Sequence, residues 1–87
     1  MKREYIKAFN TLKKLGCPVY EHPDDRGNFS IDLEAATEAG VTWADYYDGY
    51  MIPGWDFGIN PEITKVLDNQ GLFAEWQNPG RLVVYQV

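Results

Sequence analysis

This chain is poor in reactive side chains: its 87 residues include one cysteine and one histidine. A lone cysteine forms no internal disulfide, which excludes a disulfide scaffold. Cys17 and His22 supply two ligands, whereas zinc sites take three or four. No metal and no cofactor are expected. Long apolar runs are missing as well. The stretch Leu82-Val83-Val84-Tyr85 falls far short of the ~18 residues that span a bilayer, so no membrane contact is expected. The basic start, Met1 to Lys7, has no apolar segment behind it and predicts no signal peptide. Together these features predict a cytoplasmic protein. Basic charge is scarce, with a net charge of −5. That balance disfavours nucleic acid, whose affinity for proteins comes largely from neutralised phosphates. A phosphate-binding Walker loop, a Rossmann glycine fingerprint and a Gly-x-Ser-x-Gly elbow are all absent. A calcium-loop frame starting at Asp24 fails at Arg26, Phe29 and Ala35.

What is present is apolar and aromatic. Hydrophobic residues make up 45% of the chain and aromatics 15%, enough for a core and too many for a disordered chain. The length predicts a single domain over residues 1–87. A domain this small buries only about 60–65% of the surface its unfolded chain exposes. Pairing stabilises such domains, so a homodimer is one expected form.

Charge is unevenly spread. Residues 1–15 set Lys2, Arg3, Lys7, Lys13 and Lys14 against Glu4, a balance of +4. Residues 21–56 set nine acids against Arg26, a balance of −8.

Residues 2–15 predict an amphipathic helix. Tyr5, Ala8, Phe9, Leu12 and Leu15 share an arc of about 120° at the helical period. Lys7, Arg3, Lys13 and Lys14 fall on the opposite side, with Ile6 as the exception. Gly16 predicts the helix end. Residues 17–22 predict a short strand and residues 29–32 its hairpin partner, joined by a turn rich in Pro, Asp, Gly and Asn. Residues 33–39 predict a helix ending at Gly40. Thr42 with Asp45 resembles a capping box and predicts another short helix over 43–48. Residues 49–58 predict an ordered loop. Asn60-Pro61-Glu62 predicts a helix start, with Ile63, Val66 and Leu67 as its stripe and Gly71 as its end. Residues 72–77 and 81–87 predict a closing hairpin, whose turn Asn78-Pro79-Gly80-Arg81 suits type II. The expected fold is α+β: a small antiparallel sheet with this C-terminal hairpin, packed by the N-terminal helix and the helix near 61–70.

The most unusual stretch runs from Trp43 to Phe57. It holds Trp43, Tyr46, Tyr47, Tyr50, Trp55 and Phe57, with Asp45, Asp48 and Asp56 interleaved and no Lys or Arg. Rigid aromatics dominate binding hot spots, and carboxylates beside them favour a basic or hydroxyl-rich partner. The leading expectation is a non-enzymatic protein-interaction module, its partner another protein or a second copy of the chain. Tyr46, Tyr47, Tyr50, Trp55 and Phe57 would be the anchors, with Asp45, Asp48 and Asp56 on the rim. Packing of the same rings into the core is the competing explanation.

Two other classes compete. Ala36, Gly40, Val41 and Thr42 resemble the small residue, turn glycine and apolar–hydroxyl pair of a helix-turn-helix motif. The helix at 61–70 followed by the closing hairpin resembles the second half of a winged-helix domain. Either resemblance implies a transcriptional regulator. The would-be recognition helix 43–48, however, carries two carboxylates and no base-reading Arg, Lys, Asn or Gln. The third class is a small enzyme using His22 with Asp24 and Asp25. Cys17 and His22 point to opposite faces of an extended strand, which argues against a thiol–imidazole pair.

Overall fold

A computed structural model describes residues 1–33 and 42–87. The predicted helix 33–39, and with it Ala36, Gly40 and Val41 of the helix-turn-helix pattern, lies outside the described residues beyond Leu33. The described part is an α+β domain of two α-helices and a four-stranded antiparallel sheet.

Helix α1 spans Arg3–Lys14. Its predicted stripe is buried at Tyr5, Ala8 and Leu12, and Phe9 is half-buried. Leu15, on the same arc, is exposed, because the chain leaves the helix there. Gly16 takes φ 92° and donates its N–H to the Lys13 carbonyl at 3.1 Å, while the Cys17 N–H reaches the Leu12 carbonyl at 3.0 Å. These paired bonds form a Schellman cap, which needs a left-handed residue at this point. Leu12 and Cys17 lie in the same buried cluster, the apolar contact that accompanies such caps.

Strand β1 is shorter than predicted, only Val19–Tyr20. Cys17 belongs to the helix cap, and His22 turns away by donating its N–H to the Asp25 carboxylate at 2.9 Å. Strand β2, Phe29–Asp32, pairs with β1 through Val19↔Ile31 and Tyr20↔Ser30, as the predicted hairpin requires. Helix α2, Pro61–Asp68, is capped by Asn60, whose side chain accepts the Glu62 N–H at 3.0 Å. Pro61 stands where a missing N–H costs nothing. Strands β3, Leu72–Asn78, and β4, Arg81–Gln86, form the closing hairpin. Its turn is not type II, because Gly80 lacks the positive φ that type demands. The Asn78 side chain instead accepts the Gly80 N–H at 2.9 Å, a local bond that Asn makes readily.

The sheet order is β1-β2-β4-β3, so β2 joins the first strand to the closing hairpin. Alternate residues Phe29, Ile31, Leu72, Leu82 and Val84 are buried in one cluster with Tyr5, Ala8 and Leu12 of α1 and Ile63 and Leu67 of α2. Both helices therefore cover the same face.

The other face is covered by the turn at 21–28. Asp25, with a side chain only 4% exposed, meets Arg81, 13% exposed, at 3.1 Å. Ser30 Oγ donates to Asp25 at 2.9 Å, and Arg81 Nε donates to Ser30 Oγ at 3.2 Å. Asn28 closes the turn, donating to the Val84 carbonyl at 2.8 Å and accepting the Arg26 N–H at 2.9 Å.

Removing one member leaves the other charge buried and unmatched. Arg81→Leu should lower stability by about 3–5 kcal/mol. Chemical denaturation of Arg81→Leu, of Asp25→Leu and of the double variant checks this: the double loss should be well below the sum of the singles.

Candidate functional site

The segment from Trp43 to Asn60 closes on itself. The Asp45 N–H donates to the Gly58 carbonyl at 2.8 Å, and the Asn60 N–H to the Trp43 carbonyl at 2.9 Å. The loop between is built on turns and one 3-10 turn at Gly49–Met51. The helix predicted over 43–48 does not form: Ala44 bridges to Ile59 and residues 46–48 make a turn. Asp45 explains the difference. Its Oδ1 accepts the N–H groups of Tyr47 at 3.0 Å and Asp48 at 3.1 Å, giving the backbone a local alternative to a helix. A recognition helix at 43–48 is thereby excluded.

The loop is held shut by a close approach of backbones. A Cβ placed on Gly58, which has φ +77°, would lie 2.3 Å from the Asp45 carbonyl oxygen. One placed on Gly49 would lie 2.7 Å from the Gly58 Cα. Next to this contact, Phe57 is the only described non-glycine residue with positive φ, at 53°. A bulky side chain there costs about 1 kcal/mol.

The predicted site residues separate into two groups. Phe57 is 83% exposed, Tyr47 68%, and Tyr46 is also open. Asp48 and Asp56 are exposed. Trp55 is half-buried, and Asp45 is half-buried with its carboxylate used in the turn, so neither stands free at a surface. Tyr50 contributes backbone to the 3-10 turn; its side chain lies outside the described residues. Trp43 is a core residue, so the packing explanation holds for part of the aromatic set.

Sequence reasoning missed Phe73, Trp76 and Glu75 as neighbours of this surface. Tyr47 packs edge-on against Tyr46 at 5.4 Å, and Tyr46 packs edge-on against Trp76 at 5.3 Å. Trp76 Nε1 donates to the Phe57 carbonyl at 2.7 Å. A hollow of about 480 Å³ is lined by Phe57, Phe73, Ala74, Glu75 and Trp76. The sequence signal was aromatics at both strand faces of the closing hairpin, but their contact with the loop spans 19 residues or more.

The other candidates are engaged elsewhere. Asp25 is held in its buried network, and His22 Nδ1 accepts the Asp24 N–H at 3.0 Å. No group of three or more metal-ligating side chains occurs among the described residues. In the hairpin of the winged-helix resemblance, the Arg81 guanidinium is bound by Asp25. Burial pushes the Cys17 thiol up to about 12.

Two outcomes follow from this geometry. Gly58→Ala should cost about 2 kcal/mol or more, measured by thermal unfolding, while Met51→Ala at the exposed side of the loop should stay within about 0.5 kcal/mol. Cys17 should resist a thiol reagent in the native protein up to pH 9 and react at once on unfolding, because only the thiolate attacks. Comparison with protein-family models, with curated proteins and with solved structures finds no match to this chain.

Proposed function

We propose that this protein is a non-enzymatic interaction module whose contact surface is the aromatic–acidic loop 43–59 together with strand β3. Phe57 carries the reading. Its ring is exposed while its backbone is pinned by the Trp76 indole and the Gly58 contact. An exposed phenyl on a held backbone loses little entropy on binding, and burial of such a ring is worth about 1.5–3 kcal/mol. Tyr46 and Tyr47 extend the apolar surface, with Asp48 and Asp56 exposed along the same loop.

The partner is another protein or a second copy of this chain. Nucleic acid fits poorly, since stacking platforms for bases come with positive charge and the loop has none. No described helix is long and apolar enough to cross a membrane. A cytoplasmic setting belongs to the proposal and rests on composition, a chain whose one cysteine forms no internal disulfide.

Selection of a displayed random-peptide library on the immobilised chain tests the reading. Ligands should emerge whose binding weakens about tenfold or more in Phe57→Ala, a hot-spot effect, with the unfolding midpoint of the variant unchanged. Light scattering covers the self-partner case, in which Phe57→Ala should dissociate a dimer. Ligands that bind Phe57→Ala as tightly as the parent chain, or no ligands together with a monomer, overturn it.

A further inference from the structure

The two edges of the sheet differ. On one side β1 has two residues, with Pro18 before it and the turn at Pro23 soon after. A short edge flanked by proline is a protected edge. On the other side β3 has seven residues, LFAEWQN, with no Lys and no Pro. Its one irregularity falls between Trp76 and Asn78, beside the hairpin turn, so Leu72 to Trp76 run straight. Among the described residues no strand lies beyond β3, and no backbone hydrogen bond from a loop reaches its outer side.

Consecutive residues of a strand point to opposite faces. The hollow lined by Phe73, Ala74, Glu75 and Trp76 takes four consecutive residues, so it runs along the strand's edge and not across one face. A second hollow of about 240 Å³ continues it toward α2 and shares Phe57, Phe73 and Ala74 with the first. Its deeper wall includes Leu67 and Leu72, and its rim carries Asp56 and Asp68. No Lys or Arg lines either hollow.

The geometry points to β-strand addition: an extended segment of a partner protein, apolar residues alternating with Lys or Arg, pairs along the outer edge of β3 beneath Phe57. This rests on the interaction-module reading and names its partner. The strand edge supplies main-chain bonds, and the hollow against α2 takes the apolar side chains of one face. Glu75, on the opposite face of β3 from Leu72 and Ala74, receives basic ones from the other, with Asp56 and Asp68 adding negative charge at the hollow's rim. A second copy fits less well. Glu75 is near the middle of β3, so two-fold antiparallel pairing of β3 with itself sets the two Glu75 side chains against one another, and like charges directly opposite are destabilising.

The probe is a capped synthetic peptide of about nine residues, alternating Val or Phe with Lys or Arg, long enough to overrun β3. Binding to the full chain should protect β3 backbone amides from hydrogen exchange. Two further peptides are N-methylated at alternate amides, one on the odd and one on the even positions. One of them should bind about tenfold or more weakly and the other little changed, because only one set of amides faces the strand. Glu75→Lys should weaken the basic peptide and favour its Glu-substituted counterpart; the N-methylated pair tests the same pairing without altering the protein. Equal tolerance of both N-methylated peptides, or a bound peptide that leaves β3 amides unprotected, overturns strand addition while Phe57-dependent binding keeps the interaction module. Failure of the basic peptide to bind also overturns strand addition; the interaction reading then stands or falls on the Phe57-dependent ligands of the library selection. A dimer with β3 amides already protected assigns the edge to a second copy and overturns the partner named here.

Discussion

The fold depends on one buried carboxylate. Asp25 sits in a turn that would otherwise be a solvated loop, and its charge is matched by Arg81 and by the Ser30 hydroxyl. The three residues belong to the β1–β2 turn, to β2 and to the first position of β4. Their mutual bonds require β2 and β4 to lie side by side, as the Ser30↔Val83 and Asp32↔Arg81 register has them. The turn thus covers the face of the sheet opposite the two described helices. Val83, on that second face, is nearly fully buried. A domain of this size has little surplus core, so a buried ionic tie across this face of the sheet carries weight in holding β2 and β4 together.

With β2 and β4 in the centre, the sheet has two edges of opposite character. The β1 edge ends almost at once, because a helix cap precedes it and a proline-containing turn follows. The β3 edge continues for the whole strand. The closed loop at 43–60 then brings Phe57 to that open side through the Trp76 indole. Local rules would not assemble this surface: Asp45 caps its own turn, Gly58 lies against Asp45, and Phe57 is left with its ring outward on a left-handed backbone.

Much of the secondary structure was legible. The stripe of α1, the Gly16 end, the Asn60-Pro61-Glu62 start and the closing hairpin each depend on contacts within a few residues, where sequence spacing is spatial spacing. Three readings failed for local reasons of another kind. A strand over 17–22 shrank because the cap bond from Cys17 and the Asp25 bond to His22 claimed its ends. A helix at 43–48 gave way to the Asp45 turn, since an Asp side chain can compete for the same amide hydrogens. Asn78 did the equivalent at the hairpin turn. Of the candidate surface, Phe57, Tyr46 and Tyr47 were chosen from the sequence and are exposed, while Trp55 and Asp45 are partly withdrawn.

By itself, then, the sequence determined the class of fold, the helix α1 with its Gly16 end, the start of α2, the closing hairpin, and an acidic aromatic segment without cations. These follow from periodicity, capping and composition, which act over one or two turns of chain. Only the tertiary structure decided that β2 pairs with β4, that Asp25 spends its charge on Arg81, and that Phe57 meets the edge of β3. Each of those joins residues that are 19 to 56 positions apart. Pairings at that distance are set by which charges and apolar faces can be satisfied together, a condition the whole chain meets and no single segment displays.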